Sequence, residues 1–110
     1  MPHYKDEKLA EVIRSLAAEF LQKESSGTSL ITVTRVAMSN KGKNSQVLFT
    51  VFPETKESAV IEFTKRRAHD FREYVKSHVQ TRIVPFFRFE LDLGEKNRQH
   101  IDVLSNKSEI

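Results

Sequence analysis

The chain has no cysteine, so neither a disulfide framework nor a thiolate metal site can form. It has only three glycines, Gly27, Gly42 and Gly94, and no two of them are three residues apart. That spacing excludes a Gly-x-x-Gly loop, which lets a nucleic-acid backbone come close to the chain. A Gly-x-x-x-x-Gly-Lys-Ser/Thr phosphate loop is absent as well, and so is a Gly-x-Ser-x-Gly nucleophile elbow. No apolar run approaches the roughly 20 residues that span a bilayer. The start, Met1-Pro2-His3-Tyr4-Lys5-Asp6-Glu7, is polar and lacks an apolar signal segment. The expectation from these absences is a cytoplasmic protein with no membrane contact and no cofactor.

What remains is basic and small. A length of 110 residues with 38% hydrophobic residues suits one domain with one core. That domain is expected over residues 1–110, with its core over about 6–104 and a loose tail at 105–110. The net charge of +3 and pI near 9.3 favour polyanion partners through long-range attraction and counterion release.

Asp6 to Lys23 reads as an amphipathic helix. Leu9, Ile13, Leu16 and Phe20 recur at helical spacing, flanked by Val12, Ala17 and Leu21, and Ser25-Ser26-Gly27 stops it. Leu30 to Met38 is rich in β-branched residues (Ile31, Thr32, Val33, Thr34, Val36), whose stiff side chains favour a strand. Asn40-Lys41-Gly42-Lys43-Asn44 is a turn by its chemistry, and Gln46 to Phe52 completes a hairpin that Pro53 closes.

Thr55 is the expected N-cap of a second helix over about Lys56 to Gln80. Its apolar residues form two patches, Ala59-Val60-Phe63 and Ala68-Phe71-Val75-Val79, slightly out of phase. A break between Thr64 and Asp70 would bring both onto the core. After Pro85, Phe87, Phe89, Leu91 and Leu93 alternate with Phe86, Arg88, Glu90 and Asp92, the clearest period-two pattern in the chain. Gly94 to Gln99 reads as a turn, and Ile101 with Leu104 as a last helical turn that docks. The order helix-strand-strand-helix-strand predicts an α+β fold, a three-stranded sheet with helices on one face.

The candidate functional residues are cations. Lys65-Arg66-Arg67 lies in the middle of the second helix, and Lys65, His69, Arg72 and Lys76 share one face of it. Such a row can meet phosphates without reading sequence; the bland alternative is a solvated charged face. Lys41 and Lys43 sit at the hairpin tip, where they either reach a groove or keep the turn soluble, and Arg82 lies just before the third strand. Arg35 and Arg88 are strand residues suited to pairing with carboxylates such as Glu90. Phe87 and Phe89 belong to the core face, which leaves Phe86 as the one exposed aromatic of that strand and the only one placed for base stacking. The histidines, His3, His69, His78 and His100, are scattered, so no metal site is expected. No carboxylate pair sits where its pKa would be tuned, so no catalytic residue is expected.

Several segments in order resemble the ribosome-binding factor A family of bacterial small-subunit assembly factors. Ile31-Thr32-Val33-Thr34-Arg35-Val36 followed by Ser39 is similar to its first strand and Val47 to Val51 to its second. Ala68-His69-Asp70-Phe71-Arg72 falls where the family has Ala-x-Gly, an apolar residue and often Arg. Pro85-Phe86-Phe87-Arg88-Phe89 with Asp92 resembles its Pro-x-Leu-x-Phe-x-x-Asp strand, and Ile101-Asp102-Val103-Leu104 its terminal Ile-Asp-x-Leu. The likeness spans about Lys8 to Leu104. Here Asp70 replaces the family glycine, Ser39-Asn40-Lys41 replaces its Ser-x-Asp at the hairpin, and Gly94 stands in place of a serine.

The resemblance implies a KH-like domain of the second topological type, with a kinked helix in place of the glycine loop. It implies binding to the small (30S) ribosomal subunit through its 16S rRNA near the decoding region, a part in late rRNA processing, and cold adaptation. We expect a non-catalytic ribosome assembly factor acting as a monomer, with Lys65, Arg66, Arg67, Arg72 and Lys76 as first phosphate contacts and Lys41, Lys43 and Arg82 as further ones. It would hold an immature rRNA arrangement by its phosphates until the subunit matures. The alternative is a KH-like protein–protein interaction module without RNA contact, using its sheet edge or the Phe86 side.

Overall fold

The computed structural model describes residues 6–24 and 27–108. Helix α1 spans Asp6–Glu24, strand β1 Leu30–Ser39, strand β2 Asn44–Phe52, helix α2 Glu57–His78, strand β3 Phe86–Leu91 and helix α3 Leu93–Ser108. Short 3-10 turns at Asn40–Gly42 and Glu54–Lys56 follow the first two strands. The expected stop at Ser25-Ser26 lies outside the described residues; Gly27 beyond it takes φ 79°.

The strand order is β1-β2-β3. β1 runs antiparallel to β2 through the hairpin, whereas β3 is parallel to β2. A parallel neighbour requires a long crossover, and α2 supplies it. On one face of the sheet Val33, Val47, Phe49, Val51, Phe87 and Phe89 meet Leu9, Ile13, Ala17, Phe20 and Leu21 of α1 and Val60, Phe71 and Val75 of α2. The expected fold class, α+β with α1 and α2 on one sheet face, is the observed one.

A bulge adjusts β1. Val33 pairs with Phe49 but Arg35 with Leu48, so Thr34 is an extra residue. Without it, strict alternation would carry Arg35 into the core after Val33. The bulge turns Arg35 outward and returns Val36 and Met38 to the apolar side.

Helix α2 has no break. Residues 57–78 are one helix, so the expected kink between Thr64 and Asp70 is corrected. Its buried positions are Val60, Thr64, Phe71 and Val75, with half-buried Ala68 completing a continuous helical stripe. The two patches look out of phase only because the joining residue is polar. Thr64 is fully buried and donates its hydroxyl to the Ile61 carbonyl at 2.9 Å, which satisfies it locally. Thr55 is not the cap either: it lies in the preceding 3-10 turn, and Lys56 occupies the N-cap position without a side-chain hydrogen bond.

The turn expected at Gly94 to Gln99 is the first half of α3. Asp92 caps this helix, its Oδ1 accepting from the Glu95 N–H at 3.0 Å. Ile101, expected to dock, is exposed, and the Leu104 side chain lies outside those described. The helix is tied instead by polar contacts near its start: Lys96 Nζ donates to Glu57 at 2.9 Å, and His100 contacts Glu54. The expected tail, 105–110, is helical through Ser108, and residues 109–110 lie outside the description. No helix among the described residues is long and apolar enough to cross a membrane.

Candidate nucleic-acid interface

Two connections meet at one end of the sheet. The first is the β1–β2 hairpin, where Lys41 takes φ 54°, ψ 37° and Gly42 φ 85°. Both lie in the left-handed region that a tight reversal needs; Gly42 enters it freely, whereas Lys41 carries a Cβ that resists it. The second is the segment between α2 and β3. The Phe86 N–H donates to the Lys43 carbonyl at 2.9 Å and fixes the start of β3 beside the hairpin.

Together, residues 39–46 and 79–88 hold Lys41, Lys43, Arg82 and Arg88 and no Asp or Glu. All four cations are exposed. Arg88 lies 3.5 Å from Glu90 on its own strand, so it pairs along β3 rather than across to a neighbouring strand. Lys41, Lys43 and Arg82 form no ion pair among the described residues.

The cations of α2 sit differently. Lys65 is 3.7 Å from Glu62, Lys76 is 3.6 Å from Glu73 and His69 is 3.9 Å from the same Glu73. Arg67 leans towards α1: it pairs with Asp70 at 2.9 Å and lies over the Phe20 ring. Arg66 is exposed and forms no ion pair among the described residues. Exposed helix pairs of this spacing are worth about 0.2–0.5 kcal/mol, so a phosphate can displace the partners of Lys65 and Lys76 at small cost. The row is nevertheless partly neutralised at rest.

Arg72 is held for another purpose. Its Nε donates to the Pro85 carbonyl at 3.1 Å and its Nη2 to the Val84 carbonyl at 3.0 Å, while the guanidinium lies 4.3 Å from the Phe86 ring centroid. Arg72 therefore pins the α2–β3 connection, with two of its N–H donors given to main-chain carbonyls and its guanidinium face to the Phe86 ring. The expected face of Lys65, His69, Arg72 and Lys76 is a helix face, but only its two lysines carry exposed cationic charge outward.

The other end of the molecule is acid-rich and internally paired. Glu54 is held below the usual carboxylate range by its hydrogen bond to His100. Asp92 is held low first by the Thr34 hydroxyl, 2.6 Å away, and then by the Glu95 N–H. Lys96 is pushed up by its hydrogen bond to Glu57. A cleft of about 290 Å³ between Leu30, Thr32, Thr50, Phe52, Lys96 and Gln99 opens there.

Two features of the basic end escape a reading of the sequence. Asn44 and Gln46 stand beside Phe86 and Arg88 on the outward sheet face, because β2 and β3 are parallel in that register; no local pattern announces a parallel pairing. The clamp by Arg72 joins residues 12 and 13 apart in sequence, and nothing in their spacing foretells it.

Comparison with known proteins adds the lineage. A family model described as Ribosome-binding factor A matches residues 5–105. The chain is 29% identical over 104 residues to a ribosome-binding factor A from Thermomicrobium roseum, covering 92% of this chain and 81% of that one. The crystal structure of ribosome-binding factor A from Thermus thermophilus superposes with a TM-score of 0.70 at 22% identity, over 80% of this chain and 97% of that one. At that identity the likeness bears on the fold.

Proposed function

The chain belongs to the ribosome-binding factor A family, and on that premise we propose that it is a non-catalytic assembly factor that binds the small (30S) ribosomal subunit in the cytoplasm. We infer further that it works as a single KH-like domain and as a monomer, that it contacts the 16S rRNA directly, and that it assists late rRNA processing. Its means is occupancy: cations lie against sugar-phosphate and hold an immature arrangement of RNA until the subunit matures.

The observation that carries the RNA contact is the acid-free end of the sheet, where Lys41, Lys43 and Arg82 are exposed with no ion pair among the described residues. A phosphate meeting them displaces only water and counterions, whereas at Lys65 or Lys76 it must also displace a carboxylate. The contact surface we propose is therefore centred on Lys41, Lys43 and Arg82, with Arg66, Lys65 and Lys76 extending it along α2. Arg67 and Arg72, committed to internal partners, shape that surface more than they touch RNA.

Cosedimentation with purified small subunits at graded salt tests this. Association should fall steeply between low and moderate salt, as phosphate contacts require. The protein-contact reading draws on a different surface: Leu30, Phe52, Leu93 and Ile101 are exposed, the first two at the edge of the cleft by α3. An apolar contact there would respond weakly to salt, so a flat profile would favour it and remove the phosphate mechanism.

A further inference from the structure

An exposed phenylalanine alone is ordinary, since folded surfaces carry many apolar atoms. Phe86 is not alone. The Arg72 guanidinium covers one face of its ring at 4.3 Å and is itself immobilised by the carbonyls of Pro85 and Val84. With that face covered, Phe86 is still 64% exposed. The arrangement is a ring fixed from behind and open in front.

The open side borders a cleft of about 580 Å³, lined among others by Ser39, Asn44, Gln46 and Arg88. The parallel register sets Asn44 directly beside Phe86 and Gln46 beside Arg88. Two amides thus stand next to a planar apolar surface: Asn44 offers donors and an acceptor, and Gln46, whose Nε2 donates to Glu90 at 3.5 Å, keeps its acceptor oxygen and a second N–H. Cations without a carboxylate partner among the described residues, Lys41, Lys43 and Arg82, lie on the two connections that frame it.

We propose that Phe86, clamped by Arg72 and flanked by Asn44 and Gln46, is a stacking site for one unpaired nucleobase. The proposal rests on the RNA-binding reading above and adds to it the kind of RNA engaged: a single-stranded or splayed-out base rather than a continuous duplex. The physical case has three parts. A base needs a flat partner, hydrogen-bonding groups at its edge and positive charge for its phosphate, and this surface offers all three. The cation beneath the ring draws on its π-density, which lessens the repulsion met by a second π-system stacking on the free face. The clamp also holds the ring in place before binding, so little order is lost when a base arrives. An apolar peptide partner would gain nothing from the lysines, whereas a nucleotide brings a phosphate to them.

The chain contains no tryptophan, so Phe86→Trp creates a single indole reporter at the site. Titration with decaadenylate should quench its emission, and inorganic polyphosphate at equal charge and salt, which has no bases, should leave it unchanged. Quenching by both alike, or by neither, would overturn the stacking site. In parallel, Phe86→Ala should weaken binding to purified small subunits about tenfold at every salt concentration with the salt slope intact, because stacking is worth that order and is not a counterion effect. Phe86→Tyr should restore the affinity, and Phe86→Leu, apolar but without a π-face, should not. Parent-like binding by Phe86→Ala would sink the stacking site and leave the RNA reading standing. Failure of the parent protein to bind subunits at low salt would remove both.

Discussion

Phe71 is the residue on which the core turns. Fully buried, its ring lies 5.3 Å from that of Phe20, 4.7 Å from Phe87 and 5.5 Å from Phe89, so it joins α1, α2 and β3 at one point. Phe71→Ala should cost about 3–5 kcal/mol, read as a fall in unfolding free energy in urea. Asp92 has a smaller but pH-dependent part. It caps α3 and accepts from Thr34, and these bonds hold it below its ordinary value of 3.8. A depressed carboxylate stabilises the fold above its ordinary pKa, and that contribution is lost as pH falls through the lower folded value. Asp92→Ala should therefore cost about 1 kcal/mol near neutral pH, and the gap from the parent should close below about pH 3.8, as a pair of thermal melts would record. A gap that persists undiminished in acid would mean the charge is not what the cap uses.

At the scale of elements, a feature is legible in the sequence when the contact that determines it is local. The α1 stripe and the alternation of Phe87, Phe89 and Leu91 are local patterns and can be read directly, but Leu93, expected to continue that alternation on the core face, is exposed and opens α3. Helix α2 defeats such a reading at one residue: the stripe from Val60 to Val75 passes through buried Thr64, and a pattern drawn from apolar residues alone sees two patches there. The start of α3 does carry a local signal, since Asp92-Leu93-Gly94-Glu95 has the spacing of a capping box, yet Gly94 gives the same residues the look of a turn. Of the site, the hairpin lysines and Arg82 are legible as exposed cations in turns. The Arg72 clamp and the Asn44–Phe86 adjacency are not, because both depend on how distant segments pack. The continuity of α2 also answers what Asp70 does: it pairs with Arg67 inside an unbroken helix. Asp70→Gly should lower stability by about 0.5 kcal/mol, a few tenths through backbone freedom and a similar amount through loss of the pair with Arg67. Hydrogen exchange should then quicken in the amides around 66–74; protection equal to the parent would show that the residue at 70 does not govern helix continuity.

Charge is arranged along the whole molecule, with the acid-free connections at the hairpin end and the paired carboxylates Glu54, Glu57 and Asp92 at the end held by α3. Such a distribution acts at two ranges. Net charge steers encounter from a distance, whereas counterion release depends on which cations finally touch phosphate. Two triple variants separate these. Lys41→Ala, Lys43→Ala and Arg82→Ala together remove three formal charges from a chain at +3, and so do Lys65→Ala, Arg67→Ala and Lys76→Ala. If only the total mattered, both would weaken subunit binding alike. The first set has no carboxylate partner among the described residues, while the second takes Lys65 from Glu62, Arg67 from Asp70 and Lys76 from Glu73, which keeps only His69 nearby. The hairpin-end variant should lower the slope of log affinity against log salt by about 2–3, at roughly 0.7–0.9 for each phosphate no longer neutralised. The α2 variant should lower it less, because Arg67 faces α1 and the two lysines have carboxylates to leave behind. It should weaken affinity mainly by the repulsion of its newly exposed acids. Equal slopes in the two variants would mean that RNA meets the protein as a diffuse positive body, and the acid-free end would lose its claim to the interface.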